Sequence, residues 1–414
     1  MKVLHICYSD KGGGAYIGAR RLHTCMLLHG VNSELLVIKK RTDDPTVFRV
    51  PLQVRIQNYI WNKLSKFILI FQKSPDQAFR SLNIFPTSIS EAINKSDADI
   101  VQLHWVGLNT IGISDFKKIK KPIVWKLPDM WAFCGSEHYT FHENRYIDGY
   151  TSSNRPLDDR GIDFDKFVWR QKQKHWNNIN LTIVCPSKWL TNCAKSSYLF
   201  KNYAVYNIPN PINLDLYKPP HEINSGRNYF NLPLEKKLIL FVSSQKASDP
   251  RKGFDYLDGC IRELVKCFSP SSLRIVVIGI KTTQKDIHGV QLINLGYIWD
   301  EEELPLAYSA ADVYLCPSNA DNLPNTVKEA MACGTPCVAF DVGGVKEMVL
   351  HKRNGYLAPV GDGLELANGI KWILSQDKAK LSAEARKSAY IFHDPKSRVR
   401  DYLNVYNRIL DLKK

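Results

Sequence analysis

Residues 318–345, SNADNLPNTVKEAMACGTPCVAFDVGGV, decide the fold of this chain. The apolar run 313–316 that precedes them is typical of a strand buried in a parallel sheet. A polar loop then leads into a helix predicted over residues 326–333. Gly334 tolerates the positive φ that a helix C-terminus favours, and Pro336 prevents the helix from continuing. A second apolar run follows, so the order strand, loop, helix, strand predicts an α/β sheet.

Two acids in this stretch lie where an α/β sheet binds ligands. Such sites form in loops at the carboxyl ends of strands, and free N–H groups at the next helix N-terminus attract phosphate. Asp321 lies in the loop and Glu329 about one turn into the helix, with seven residues between them. Both can therefore face one ligand. Alternatively, they are a partner of the helix dipole and part of a solvated helix face. The spacing alone leaves both interpretations open.

The stretch resembles the sugar-nucleotide site of the retaining glycosyltransferases of family 4, which have the GT-B fold. The family signature is an acid, seven residues, Glu, and then Ala-Met-Ala-x-Gly-x-Pro-Val. Asp321 stands where the family usually has a first Glu, which shortens the side chain by a methylene. The matching positions are Asp321, Glu329, Ala330, Met331, Ala332, Gly334 and Pro336, with Cys337 and Val338 at the strand.

The resemblance implies an α/β chain of the GT-B class, with two Rossmann-like domains facing a central cleft and a C-terminal helix crossing back to the first. The second domain starts afresh with the apolar run 238–242. We predict an N-terminal acceptor-side domain over 1–208 and a nucleotide-sugar-binding domain over 209–390. Residues 391–414 are predicted to form the helix that packs back on the N-terminal domain.

The resemblance also implies roles for residues of the second domain. Lys252, before Gly253, matches the family's diphosphate-binding lysine. The family's Arg several residues earlier is absent, and Arg251 or Lys246 could replace it. By the same resemblance Glu329 accepts the ribose hydroxyls and Asp321 the donor sugar hydroxyls. The predicted donor contacts are Gly13, Gly14, Arg251, Lys252, Ile298 (which follows the strand near the base), Asn322, Leu323, Pro324, Asn325, Thr326 and Glu329.

In the first domain a Gly-rich loop, residues 12–14, follows the first strand and lets backbone approach a phosphate or sugar closely. It is not a Gly-x-Gly-x-x-Gly dinucleotide fingerprint. Further on, Asp129-Met130-Trp131 resembles a bacterial subgroup of the family, but Pro128 replaces the subgroup's His next to the donor sugar. The predicted catalytic residues are Asp321, Lys252 and Asp129.

The net charge of +15 is concentrated in the first half of the chain. Residues 1–210 contain 29 Lys and Arg against 17 Asp and Glu, a net of +12. This favours an anionic partner: membrane lipid, a phosphate-bearing acceptor or nucleic acid. Nucleic acid is the weakest of the three and is not expected as a partner, because no nucleic-acid-binding signature accompanies the charge. Residues 54–71 mix apolar and basic side chains, as in a helix that lies on an anionic membrane. The alternative is a core-facing helix with a solvated basic side.

Neither metal nor disulfide chemistry is expected. The ten cysteines form no Cys-x-x-Cys pair, which favours a reducing cytoplasm. Asp163-Phe164-Asp165 has the Asp-x-Asp pattern of metal-dependent glycosyltransferases, but its polar surroundings predict a surface segment. The N-terminus predicts a strand rather than a signal peptide, and no apolar run approaches the roughly 20 residues of a membrane span. We therefore expect a cytoplasmic protein that can rest on the inner face of a membrane.

Together these features predict a metal-independent retaining glycosyltransferase of the hexosyltransferase type. Its donor would be a UDP- or GDP-type nucleotide sugar, with no other cofactor, and its acceptor a lipid-linked or free saccharide. The subgroup resemblance implies bacterial surface polysaccharide synthesis (lipopolysaccharide O-antigen, capsule or exopolysaccharide). Pro128 and the missing Arg leave one alternative open, a noncatalytic or weakly active GT-B sugar-nucleotide-binding protein. A nicotinamide oxidoreductase is disfavoured because its fingerprint is absent.

Overall fold

A computed structural model describes residues 1–76, 78–140, 144–222, 224–243, 250–280 and 282–412. The chain divides into two compact units. Unit 1 comprises residues 1–210 with 396–414, and unit 2 comprises residues 211–395. Each unit is built around its own seven-stranded sheet.

The sheet of unit 1 is parallel throughout, with strand order β3-β2-β1-β5-β6-β8-β9. A two-stranded antiparallel pair, β4 with β7, lies apart from it. The elements are β1 (Lys2–Ser9), α1 (Gly14–Leu28), β2 (Asn32–Lys39), β3 (Val47–Arg49), α2 (Leu52–Leu69), β4 (Gln72–Lys73), α3 (Ile89–Lys95), β5 (Ile100–Leu103), β6 (Ile123–Lys126), α4 (Arg145–Asp148), β7 (Arg160–Gly161), α5 (Phe164–Trp176), β8 (Leu181–Cys185), α6 (Lys188–Ser196) and β9 (Ala204–Asn207).

The sheet of unit 2 has strand order β12-β13-β11-β10-β14-β15-β16 and is parallel except at the edge pair β12–β13. The elements are α7 (Ser225–Tyr229), β10 (Lys237–Val242), α8 (Tyr256–Leu264), β11 (Leu273–Ile278), β12 (Asp286–Ile287), β13 (Val290–Asn294), α9 (Glu303–Ala310), β14 (Val313–Cys316), α10 (Asn325–Ala332), β15 (Cys337–Phe340), α11 (Val345–Met348), β16 (Gly355–Ala358), α12 (Gly363–Ser375), α13 (Lys378–His393) and α14 (Pro395–Asp411, which belongs to unit 1).

The central strands are buried because helices cover both faces of each sheet. All four residues of β14 and of β15 are buried, and seven of the eight residues of β1 are buried. Such strands read as continuous apolar runs rather than as alternating patterns. This is why the strands on either side of the 318–345 stretch are recognisable in the sequence.

Helix α14 packs on the sheet of unit 1. Val399, Tyr402 and Tyr406 are buried in one cluster with Val3 and other residues of that sheet. The hydroxyl of Tyr406 donates a 2.7 Å hydrogen bond to the side-chain oxygen of Gln102. The spacing of these apolar residues, three and four apart, places them on one face of the helix.

The expected surface position of the Asp-x-Asp pattern is wrong. Asp163 and Asp165 do not lie on the surface: the Asp165 side chain is 4% exposed and is paired with Arg80, while Asp163 caps α5 and binds Arg145 at 2.8 Å. Their partners come from earlier parts of the chain, since Arg145 precedes Asp163 by 18 residues and Arg80 precedes Asp165 by 85.

No helix of the described chain is both long and apolar enough to cross a membrane.

Three buried histidines lie beneath the carboxyl end of the unit 1 sheet. His5 of β1 and His104, directly after β5, are joined by a 2.8 Å contact between Nδ1 and Nε2. His23 of α1 contacts the hydroxyls of Ser33 at 2.7 Å and Thr46 at 2.8 Å. Burial lowers the pKa of all three imidazoles, to about 4 for His23. They are therefore neutral in the folded protein at neutral pH.

We predict that the free energy of unfolding falls as the pH drops below about 6.5. There the unfolded chain takes up protons that the folded chain excludes, so each histidine contributes up to about 1.4 kcal/mol per pH unit. Urea denaturation at several pH values measures the slope. His23→Gln should lower this slope by the equivalent of about one proton between the ordinary histidine pKa and about 4. A stability that is constant down to about pH 5 would contradict this.

Candidate functional site

Three loops meet at the carboxyl edge of the unit 2 sheet. The loop after β10 contacts the loop after β14, because the backbone N–H of Asn319 donates to the carbonyl of Arg251 at 2.8 Å. The loop after β15 joins them through the N–H of Gly344, which donates to the carbonyl of Asn322 at 2.8 Å. These bonds hold the segments carrying most of the predicted donor contacts in one place.

Gly253 is required by the close approach of the first two loops. Its φ is +68°, and a Cβ there would lie 1.8 Å from the carbonyl oxygen of Pro317. A side chain at this position would therefore push the loop after β10 away from the end of β14. The adjacent Lys252 reaches its partner only because this position is a glycine.

Lys252 and Asp321 form the ion pair at the centre of this edge. Lys252 Nζ lies 2.7 Å from Asp321 Oδ2, with the two side chains 26% and 16% exposed. Burial alone would lower the pKa of Lys252, but the attraction of Asp321 outweighs it and raises that pKa above its ordinary value. The ammonium of Lys252 therefore stays protonated at the carboxyl edge of the sheet, where an anionic ligand can reach it.

Glu329 lies at a buried position of α10, and its carboxylate is hydrogen-bonded to a tyrosine. Its Oε2 accepts a 2.7 Å hydrogen bond from the hydroxyl of Tyr308, on α9. Glu329 is 4% exposed, so the carboxylate does not belong to a solvated helix face. That alternative for the acid pair is wrong for Glu329.

The other predicted donor contacts of unit 2 lie along the same edge or next to it. Asn322, Leu323 and Pro324 are buried before α10, whereas Asn325 and Thr326 are half-buried in its first turn. Ile298 follows β13 and packs partly buried against the core of this unit. Lys246, offered as a replacement for the family's missing Arg, lies outside the described residues, while Arg251 is half-buried beside Lys252.

The Gly-rich loop of unit 1 leads into α1. Gly13 is the N-cap residue of α1 and Gly14 its first residue, and no side chain caps the helix. A Cβ at Gly12, which has φ +97°, would lie 2.8 Å from Nη1 of Arg41. The loop therefore presents helix N–H groups next to a guanidinium, an arrangement that suits an anion.

Asp129 of unit 1 is the centre of a hydrogen-bond network. Its Oδ2 accepts from His138 Nδ1 at 2.7 Å and from Trp105 Nε1 at 3.0 Å, and its Oδ1 accepts from the N–H of Trp131 at 3.1 Å. Because a carboxylate only accepts, His138 carries its proton on Nδ1, and Nε2 faces the hydroxyl of Ser81 at 2.9 Å. Three donors thus fix the Asp129 carboxylate in one orientation.

The predicted site residues therefore form two groups. Lys252, Asp321 and Glu329 lie with the loop residues at the edge of the unit 2 sheet, and Gly13, Gly14 and Asp129 lie in unit 1. Their catalytic and binding roles stay predictions. Sequence analysis missed Tyr308, because a tyrosine inside a short apolar helix carries no sign that its hydroxyl faces a carboxylate.

The chain has the fold of GT-B glycosyltransferases. A sucrose-phosphate synthase from Thermosynechococcus elongatus is similar with a TM-score of 0.70 over 99% of both chains, at 18% identity. HepE of Anabaena, solved in complex with UDP-glucose, gives a TM-score of 0.67 over 99% of this chain and 100% of that one, at 16% identity. The predicted fold class is confirmed; at these identities the similarity establishes the fold alone.

The match to a protein-family model lies within unit 2. Residues 236–376 match the family model described as Glycosyl transferases group 1. An uncharacterised glycosyltransferase of Haemophilus influenzae is 32% identical over 165 residues, which are 36% of this chain and 45% of that protein. The chain spans about half the length of the curated relatives it matches. Unit 2 thus carries a glycosyl transferases group 1 domain, which contains Lys252, Asp321 and Glu329.

We predict that Gly253→Ala lowers the melting temperature, because it adds both backbone strain and a clash with Pro317. Strain of this kind costs on the order of 1–3 kcal/mol. Gly259→Ala is the matched control: a Cβ there meets nothing within 4 Å, and alanine inside α8 should stabilise by about 0.5–1 kcal/mol. Thermal unfolding of both variants checks this. Equal melting temperatures would contradict the close approach of the two loops.

Proposed function

We propose that this protein is a glycosyltransferase that moves a sugar from a nucleotide-diphosphate sugar to an acceptor. The observation that carries the proposal is the Lys252–Asp321 ion pair, 2.7 Å long, at the carboxyl edge of the sheet in the group 1 domain. UDP-glucose bound to HepE, which shares the fold, supports a nucleotide sugar as donor.

In this proposal Lys252 binds the donor diphosphate. The diphosphate gains negative charge as the bond to the anomeric carbon breaks, so a fixed cation beside it lowers the barrier. The N-terminus of α10, at Asn325 and Thr326, adds the positive end of the helix dipole. Asp321 holds the Lys252 ammonium in position until donor arrives and then accepts from the sugar hydroxyls. Glu329, supported by Tyr308, accepts from the ribose.

We further propose that the anomeric configuration is retained. The signature that runs from Asp321 to Pro336 resembles that of retaining enzymes and supports this. The acceptor oxygen would bond to the anomeric carbon on the face from which the diphosphate departs, and the departing diphosphate oxygen would take up the acceptor proton. A lipid-linked saccharide in surface polysaccharide synthesis, met at the cytoplasmic face of a membrane, is the acceptor that the basic first half favours.

We expect Lys252→Ala to lower kcat by roughly 10²–10³-fold, since it removes charge stabilisation of the leaving diphosphate. Release of nucleoside diphosphate from a panel of UDP- and GDP-sugars, with saccharide acceptors, measures turnover. The matched control is Lys378→Ala, which removes an equally short Lys–Asp pair, 2.7 Å to Asp312, at the opposite edge of the same sheet. Equal activity of folded Lys252→Ala and wild type would contradict the site. If wild type turns over no donor, a noncatalytic sugar-nucleotide binder becomes the better account.

We also expect turnover to survive an excess of EDTA. Within the described residues, no three His, Cys, Asp or Glu side chains are grouped so that they could hold a metal ion. The two carboxylates of the Asp-x-Asp pattern are each occupied by an arginine, Arg145 on Asp163 and Arg80 on Asp165. Assays with EDTA, and with Mn²⁺ added back, test this. Activity that is lost with EDTA and restored by Mn²⁺ would overturn metal independence.

A further inference from the structure

Unit 1 contains a cavity of about 690 Å³ that is lined mainly by cations. It lies at the carboxyl ends of β2 and β3, and α2 forms its opposite wall. Seven of its thirteen lining residues are Lys or Arg and none is Asp or Glu. We call it the basic groove, defined by residues 39–41, Arg49, and Arg55, Lys63 and Lys66 of α2.

The cations of the basic groove outnumber the acids beside it, which are Asp10, accepting from the backbone N–H of Arg41 at 2.8 Å, and Asp44, whose carbonyl accepts from Lys40. The sequence has no Asp or Glu from residue 45 to residue 75. In the described part of the chain, no carboxylate lies within ion-pair distance of these seven side chains, and the partners they have are neutral. Lys40 donates to a backbone carbonyl at 2.8 Å, and Lys39 lies over the ring of Tyr8 at 5.2 Å. Concave walls concentrate such a field, which favours an anion with several charges.

The wall formed by α2 also has an apolar side that faces outward. Ile56, Ile60 and Phe67 are 52%, 49% and 58% exposed, whereas Val54, on another side of the helix, is buried. One side of α2 does face the core, where Val54 is buried and Ile68 and Leu69 pack, while these three apolar residues face outward. A helix with exposed apolar residues, flanking cations and no acid is suited to the interface of an anionic membrane.

The basic groove also adjoins the predicted site of unit 1. Arg41 packs against the Gly-rich loop, where a Cβ at Gly12 would lie 2.8 Å from its Nη1. Tyr8, at the base of the groove, contacts the ring of Trp105, with centroids 5.9 Å apart, and Trp105 donates to Asp129. The rings of Tyr8 and Trp105 therefore connect the groove to Asp129.

We propose that the basic groove binds the diphosphate of a lipid-linked acceptor, while Ile56, Ile60 and Phe67 lie in the membrane interface. The argument is charge complementarity: a diphosphate ester combines several negative charges with an apolar chain, and α2 presents cations and apolar side chains on adjacent sides. Arginine and lysine together bind phosphate oxygens strongly. The identity of the ligand as an acceptor rests on the proposed glycosyltransferase function, but the anion site does not.

The test measures binding of the full chain to two probes, without turnover. One probe is inorganic pyrophosphate, measured by isothermal titration in the Lys252→Ala background, so that the proposed donor site does not contribute. The other is sedimentation with phosphatidylcholine vesicles that contain either a polyprenyl diphosphate or an equal charge of phosphatidylglycerol. We expect binding to pyrophosphate, and tighter binding to the diphosphate vesicles than to the phosphatidylglycerol vesicles. Equal binding to both kinds of vesicle would overturn the diphosphate site. It would also be overturned if short single-stranded RNA displaced pyrophosphate at a concentration below that at which pyrophosphate itself binds.

Matched variants locate the site. The double substitution Arg55→Gln with Lys66→Gln should weaken the binding of both probes by roughly tenfold or more. Lys117→Gln with Lys120→Gln removes the same charge from exposed positions at the amino edge of the same sheet and should change binding less than twofold, by about the experimental error. Ile60→Gln with Phe67→Gln should weaken vesicle binding and leave pyrophosphate binding unchanged. Equal losses in the first two pairs would overturn the groove as the site.

The outcomes separate this inference from the proposed function. If the Arg55 and Lys66 variant binds both probes as wild type does, the inference fails, while release of nucleoside diphosphate from donor is unaffected. Suppose instead that wild type turns over no nucleotide sugar, but that the Arg55 and Lys66 variant loses pyrophosphate binding. The anion site then stands, and its ligand is not a glycosyl acceptor.

Discussion

The Lys252–Asp321 ion pair is the interaction on which the candidate donor site depends. It joins the loop after β10 to the loop after β14, and the two loops approach so closely that only glycine fits at residue 253. The pair keeps a protonated ammonium at the carboxyl edge of the sheet, although burial opposes that charge. A diphosphate can take over the attraction that Asp321 provides, so the site is ready for an anion without rearranging the core.

Much of this edge could be predicted from the sequence, because its features are local. Buried parallel strands such as β14 appear as apolar runs, and Gly334 marks the end of α10. Its φ of +76° and the 2.3 Å from a Cβ to Ser382 Oγ show why glycine is needed there. The spacing of Asp321 and Glu329 likewise follows from one loop and one helix turn. Such features depend on residues close together in the sequence, so they can be recognised without knowing which distant segments pack against them.

The features that sequence analysis missed depend on contacts between distant segments. Asp165 is buried because Arg80, 85 residues earlier, neutralises it. The cations of the basic groove come from the end of β2 and the two residues after it, from β3 and from α2. The parallel register Val37↔Arg49 and the packing of α2 bring them to one cavity. The sequence indicated an excess of positive charge in the first half of the chain. It did not indicate that seven of these cations line one cavity.

The central claim, that the edge of the unit 2 sheet holds a nucleoside diphosphate, is tested most directly by ligand-dependent unfolding. The melting curve of the full chain would be recorded with UDP, GDP, uridine and guanosine. The account predicts that one of the diphosphates stabilises wild type, by about 2.7 kcal/mol at a hundred times its Kd. The matching nucleoside should stabilise far less, because it lacks the group that Lys252 binds. No stabilisation by either diphosphate, or equal stabilisation by diphosphate and nucleoside, would contradict the account.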